Sequence, residues 1–408
     1  MDVGIVGLGT AGAAAALFLS RAGHRVVLLE RVDRPGPVGA GIMMQPSGLM
    51  VLERLGCAGP ILERGARVDA LVSMTTGGRA ILDLHYEELG AGLFGVGLHR
   101  GVLFETLHAA VESSAVDLRC GVDAVALRAR GERWAVLDAE GRAHGPFDLV
   151  VLCDGARSHL RDTLVSHAMS VRPYPWGALW FIGETHAERR ELHQYVEGTR
   201  TMIGVLPTGR GLRGDAKLAS LFVSVELCRR DEGFASGLDA WKREVRRVAP
   251  PAEDLLDQID DPGDLTLASY FDVSMPRWHA RRVVFLGDAA HATSPQLGQG
   301  CNLALCDAEA LADALAAHED LDAALAAYTD SRRDHLAFYQ LATRALTPFF
   351  QSDHAALGAL RDWLMPLATR VAFVRREMVR SMAGTKTGWL WGSRETRGPK
   401  TTRGDVRR

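Results

Sequence analysis

The first thirty residues constrain this chain more than any other stretch. Residues 3–6 form a short apolar run of the kind a buried parallel strand needs, residues 11–22 are a small-residue helical stretch that stops at Gly23, and residues 26–29 are a second apolar run ending at Glu30. Strand, glycine-rich turn, helix and strand in so short a span make a βαβ unit, whose crossover is right-handed and whose sheet is covered by helices. The turn reads Gly7-x-Gly9-x-x-Gly12. That bare pattern is weak, because it recurs as Gly90-Gly92-Gly95 and as Gly209-Gly211-Gly214. Context separates the three. A dinucleotide needs the turn to leave a strand and open a helix, so that helix N-terminal amides face a pyrophosphate, and it needs an acid further on for the ribose hydroxyls. Glu30 stands 18 residues after Gly12 at a strand end, with Arg31 beside it as a candidate for the same nucleotide. The second motif follows the loop Tyr86-Glu87-Glu88 and the third leads from Pro207 into an alternating strand, so both are expected to be structural glycines.

Two later segments repeat the theme. Residues 151–158, VLCDGARS, end a buried run with Asp154 and Gly155. Residues 284–302, VFLGDAAHATSPQLGQGCN, repeat strand, glycine and Asp288, then pass Pro295 into Gly298, Gln299, Gly300, Cys301 and Asn302 at a helix start. A carboxylate at a strand end can hold a polyol, and a glycine-rich helix start can hold developing negative charge. The first motif alone leaves the nucleotide open between NAD(P) and FAD. The two later segments fit a long cofactor whose ring is anionic when reduced.

GLGTAG with Glu30, CDGARSHLR and GDAAHATSPQLGQGCNLALCDA, in this order, resemble the single-component flavoprotein monooxygenases of the aromatic-hydroxylase class, the p-hydroxybenzoate hydroxylase fold, over roughly residues 1–345. MVRSMAGTKTG near the C-terminus also resembles the ubiquinone-biosynthesis hydroxylase branch, less distinctly. The resemblance implies FAD, NADH or NADPH as co-substrate, and O2. The implied reaction hydroxylates an aromatic or quinone-like small molecule through a flavin C4a-hydroperoxide. It implies that Gly7, Gly9 and Gly12 line the FAD pyrophosphate, that Glu30 holds the adenosine ribose, and that Arg100 touches the phosphate or ribityl region. Asp154 and Gly155 would serve both FAD and the nicotinamide donor, and Asp288 the ribityl chain. Residues 298–302 would present amides to the flavin N1 and C2 carbonyl edge. Pro295, Gly298 and Gly300 would form the flavin-edge environment where oxygen reacts, with no protein acid or base assigned.

Trp180 and Tyr195 are pocket-wall candidates that could equally be sheet packing, and His99 and Gln194 are polar candidates of the same standing. His291 reads as a structural hydrogen-bonder rather than a general base, and Asp307 and Glu309 as solvated or capping groups. Two rival functions share the cofactor: a flavin-dependent reductase or dehydrogenase of the same fold, and a non-catalytic flavin-binding protein.

The fold expected is α/β. A Rossmann-like FAD-binding domain with a parallel sheet, residues 1–70, 99–170 and 275–345, is interrupted by a mostly antiparallel substrate-binding sheet, residues 171–274. Residues 71–98 form a hairpin lent to the substrate domain, residues 346–392 form C-terminal helices, and residues 393–408 are read as a solvated, disordered tail. Forty-seven basic side chains against 50 acidic ones give a net charge of -3, so no global field draws a nucleic acid partner. The six cysteines are scattered without a C-x-x-C pair, which removes sequence support for a disulfide framework or a zinc site, and no ligand spacing suggests a metal. No long uncharged apolar window suggests an integral membrane segment. The expectation is a cytoplasmic monomer or homodimer. Trp389-Leu390-Trp391 is similar to the W-x-W of flavin halogenases, but Gly392-Ser393 follows it near the end, which disfavours halogenation.

Overall fold

The computed structural model describes every residue except Val38, 165–169, 389–391 and 395–408. The βαβ unit forms as its apolar pattern requires. Asp2–Val6 and Arg25–Leu29 pair in parallel, and the helix Thr10–Arg21 crosses between them. Its alanines, Ala13 to Ala16, are almost wholly buried. Small side chains let this helix lie close to the sheet and to the helix Gly300–Ala317.

Six strands make the first sheet, in the order His279–Ala280, Val283–Phe285, Leu149–Leu152, Asp2–Val6, Arg25–Leu29 and Asp117–Arg119. All neighbours are parallel except the first pair. The register pairs Val6 with Leu152 and Leu152 with Phe285. Three strands distant in sequence therefore end on one edge, where ligands bind in open α/β sheets.

The second sheet has seven strands, ordered Thr266–Ser274, Ser170–Glu184, Lys217–Glu226, Thr201–Arg210, Glu191–Glu197, Ala70–Thr75 and Ala80–His85. The hairpin Ala70–Thr75 with Ala80–His85 joins it in parallel with Glu191–Glu197. Because side chains alternate along a strand, the sheet has two distinct faces. One packs Leu179, Ile203, Val205 and Leu221 on Trp241, Val245, Leu255 and Leu256 of two short helices. The other packs Val196, Met202 and Phe222 on Phe350, and Leu206 on Met43, Val379 and Met382.

Some elements depart from the sequence reading. The helix Leu321–Phe350 runs through the expected boundary at 345/346. Pro348 lies in its last turn, where it removes only one backbone bond. The small sheet Gly41–Met44, Gly95–His99 and Ala66–Val68, and the helices Pro46–Arg54, Ala58–Arg64 and Leu238–Val248, were not anticipated. Residues 393 and 394, assigned to a disordered tail, are anchored instead. Ser393 bridges Lys386, the Arg394 amide donates to the Thr385 carbonyl at 2.8 Å, and its guanidinium pairs with Glu309. Trp389, Leu390 and Trp391 lie outside the described residues. Among the described residues no helix is long and apolar enough to cross a membrane.

Candidate functional site

The three glycine-and-acid segments meet at the shared strand edge. Gly7 follows the first strand at φ +100°, and a Cβ there would lie 2.6 Å from the Cys153 carbonyl oxygen. A Cβ on Gly12 would lie 1.9 Å from the Gly7 oxygen. Glycine at both positions lets the first turn nest against the second. Gly9 faces open space at the helix start, where backbone amides have no intrahelical partner. The Glu30 carboxylate accepts the Leu8 amide at 2.8 Å and the Val32 amide at 2.9 Å. It thereby braces the glycine turn and keeps lone pairs for a ligand. Arg31 beside it is exposed.

Asp154 ends the second segment, and burial raises its carboxyl pKa. Its Oδ1 is buried without a hydrogen-bond partner among the described residues, a cost that an external donor would relieve. A Cβ on Gly155 would meet nothing within 4 Å. Behind them Arg161, fully buried, donates to the carbonyls of Ala156 at 3.0 Å and Ala289 at 2.9 Å, tying the second segment to the third.

In the third segment Asp288 opens the short helix Asp288–His291 and is exposed. Its Oδ1 is 4.0 Å from where a Cβ on Gly300 would stand. The carboxylate thus overlooks the first residue of Gly300–Ala317, whose N-terminus presents free amides and the positive end of its dipole.

Beneath this turn lies a hub the sequence reading missed. Asp307, expected to be solvated or capping, is fully buried. It accepts the Gly287 amide at 2.9 Å, His291 Nε2 at 2.5 Å and Arg332 Nε at 2.8 Å. Burial alone would raise its pKa, but the charges of His291 and Arg332 outweigh that and hold it at about 2. Arg332 also bonds His335 Nδ1, and burial with the Arg332 charge pushes the His335 pKa well below its usual value. Glu309 is likewise buried and pairs with Arg54 and Arg394. His291 is the structural hydrogen-bonder that was expected.

The side chains of three residues in the 298–302 stretch, expected to offer amides, are engaged within the protein. Asn302, fully buried, accepts the Gln45 amide at 2.9 Å and donates to the Met43 and Gly298 carbonyls at 3.1 and 3.2 Å. Gln299 donates to the Met382 carbonyl at 2.7 Å. The Cys301 thiol lies 3.7 Å from the Met44 sulfur, and burial pushes its pKa up to about 11. With these side chains engaged, what the stretch leaves open is its main chain. Arg100 opens the helix Arg100–Glu112, and its charge reaches Cys301 and Tyr270. His99 caps that helix, accepting the Gly101 amide at 3.0 Å.

Pro295 is held by both neighbours. Ser294 Oγ lies 3.0 Å from Thr347 Oγ1, and Gln296 donates to Gln351 at 2.8 Å, which also accepts from Tyr174 at 3.4 Å. These partners are more than fifty residues away in sequence, so no local pattern announces them. Trp180 lies on the same sheet face as Phe222, its ring centroid 4.9 Å away, and its Nε1 is 3.5 Å from the Tyr270 hydroxyl. Tyr195, left open in sequence between pocket wall and packing, belongs to the sheet packing. It points to the opposite face, into the cluster with Trp241 and Val245. Alternation puts Gln194 on the Trp180 side. Among the described residues no group of His, Cys, Asp and Glu could hold a metal ion.

Residues 1–340 match the FAD binding domain family. The chain is 28% identical over 329 residues to a probable 2-heptyl-3-hydroxy-4(1H)-quinolone synthase of Rhodococcus erythropolis, covering 79% of this chain and 82% of that one. It is 30% identical over 372 residues to a kynurenine 3-monooxygenase of Salinispora arenicola, covering 81% and 76%. Its fold superposes with a TM-score of 0.77 on PqsL, a probable FAD-dependent monooxygenase of Pseudomonas aeruginosa, at 26% identity over 88% of this chain and 99% of that one. PqsL has also been solved with 2-aminobenzoylacetate.

Proposed function

The chain belongs to the FAD binding domain family of aromatic-hydroxylase flavoprotein monooxygenases, and from that premise we propose that FAD lies across the three loops at the strand edge, facing an aromatic substrate on the Trp180 face of the seven-stranded sheet. The protein is an FAD-dependent, NAD(P)H-using monooxygenase. The observation that carries the site reading is one convergence. Gly9, Gly155 and Gly300 all leave room for a ligand where Asp288 is exposed and Asp154 Oδ1 has no partner. Amides suit phosphates and an anionic ring edge, whereas carboxylates suit hydroxyls, and the segments present them in the alternation that FAD needs.

When bound, FAD supplies reduction by NAD(P)H and the oxygen chemistry that places one oxygen atom in the substrate. The amides after Gly9 would hold the pyrophosphate, Glu30 the ribose and Asp288 the ribityl hydroxyls. The main chain of 298–302 would stabilise negative charge on the ring. The Ser294–Thr347 and Gln296–Gln351 bonds would keep the Pro295 turn rigid beside it. The names of the relatives support a nitrogen-bearing aromatic substrate, quinolone-like or an aminobenzoyl compound; O2 is the proposed co-substrate and the cytoplasm the proposed compartment.

Oxygen uptake and NADH or NADPH oxidation by the FAD-loaded protein should be stimulated by some member of a panel of quinolones, aminobenzoyl compounds and phenols, with an oxygenated product. Nicotinamide oxidation that never yields such a product would return the chain to the reductase reading. Asp288→Ala should weaken FAD binding roughly tenfold to a hundredfold, the loss of one charge-assisted hydrogen-bonding group of about 1.5–3 kcal/mol. Its melting temperature without flavin should be unchanged, because the carboxylate is exposed; equilibrium flavin titration and a thermal melt decide. Trp180→Ala should raise KM for the aromatic substrate about tenfold or more, whereas Tyr195→Phe, behind the sheet, should leave KM within about twofold. Equal effects in steady-state kinetics would contradict the face assignment.

A further inference from the structure

Helix Ala355–Ala368 is anchored from one side and bare on the other. Inside, Arg361 is almost fully buried and donates to the carbonyls of Gly198 and Phe349, each at 2.9 Å, and Met365 packs on the cluster around Phe350. Outside, Leu360, Trp363, Leu364 and Leu367 are all exposed, Trp363 by 59%. At 100° per residue these four fall within about 100° of helix surface, so they form one continuous stripe. Val371 extends it past the helix end and is 53% exposed. A contiguous apolar patch of this kind on a folded chain marks a contact surface.

Charges close in sequence to the stripe choose the occupant. Arg370 and Arg376 are exposed, and among the described residues neither has an ion pair. On the helices Ala355–Ala368 and Ala372–Met382 and the turn before them, the acids are paired: Asp353 with Arg200, Asp362 with Arg361, and Glu377 with Arg380 and Lys386. A second copy meeting this face about a two-fold axis would bring these arginines to their own symmetry copies, with the acids of the two helices already paired. An anionic lipid surface supplies the missing charge. The stripe offers Trp and Leu for the headgroup boundary, where Trp is favoured.

We infer that the Leu360–Trp363–Leu364–Leu367 stripe with Arg370 and Arg376 docks this protein reversibly on an anionic membrane surface. The test is co-sedimentation of the full FAD-loaded chain with phosphatidylglycerol/phosphatidylcholine vesicles and with phosphatidylcholine vesicles alone, alongside analytical ultracentrifugation without lipid. Expected are binding that requires the anionic lipid, a loss of at least about tenfold in partitioning for Trp363→Ser with Leu367→Ser, and a several-fold loss for Arg370→Gln with Arg376→Gln. Flavin content and soluble-substrate turnover should stay unchanged in all variants, which separates docking from misfolding. A chain that stays in the supernatant with anionic vesicles overturns the inference. So does a dimer in ultracentrifugation that the Trp363→Ser, Leu367→Ser variant splits, which would give the stripe to a second copy.

Discussion

Asp307→Ala should destabilise the protein by about 3–5 kcal/mol and strip it of flavin, although no atom of Asp307 is placed against the cofactor. The carboxylate is fully buried and receives three donors, from Gly287, His291 and Arg332. Removing one partner of a buried pair leaves an uncompensated charge, here the Arg332 guanidinium, and that cost is of this size. The consequence for binding follows from the chain itself. The Gly287 amide immediately precedes Asp288, so the contact that holds the buried hub also sets where the exposed carboxylate stands. Asp307→Asn keeps the shape but loses the charge and one acceptor, and should fall between wild type and alanine. Thermal melting with and without added FAD checks both parts. An alanine variant that melts like wild type would remove the hub from the account of the site.

Lowering the pH below about 6.5 should cost stability through His335, by no more than about 1.4 kcal/mol per pH unit. Burial, followed by the Arg332 charge, depresses its pKa well below 6.5. The native ring therefore stays neutral where the unfolded chain takes up a proton, and the contribution is fully present above the unfolded pKa. It is lost as pH falls below that value, at about 1.4 kcal/mol per pH unit for one proton. Asp307 adds nothing in this window. Its folded pKa of about 2 lies below its usual 3.8, so its contribution, about 2 kcal/mol, is lost only between those values. His335→Asn, which retains an acceptor for Arg332, should flatten the upper limb of the stability profile. Denaturant melts at stepped pH would show it, and an unchanged slope between pH 5 and 6.5 would exclude His335 as the source.

Much of the site was legible because its chemistry is local. Gly7, Gly9, Gly12 and Glu30 serve one strand–turn–helix–strand unit, and Asp154 and Asp288 each end an apolar run that could only be a buried strand. What escaped the reading depends on contacts at long range. Asp307 looks like any acid on a helix until Arg332 from a second helix and Gly287 from a strand end close over it. Gln299 and Asn302 were expected to offer main-chain amides, but no local pattern announced that their side chains turn to Met382 and to Met43 and Gln45. Tyr195 and Trp180 were indistinguishable in sequence. Their faces depend on which helices cover each side of the sheet.

The sequence by itself therefore determined the α/β class, the dinucleotide turn, the three carboxylates and the flavin family, because hydrophobic period and glycine placement act within a few residues. Only the tertiary structure decided that the three strand ends share one edge, that Asp307 is the pillar beneath Asp288, and which sheet faces Trp180 and Tyr195 occupy. Those outcomes come from strand register and from the desolvation of charges brought together across the chain, and neither quantity exists until the chain has folded.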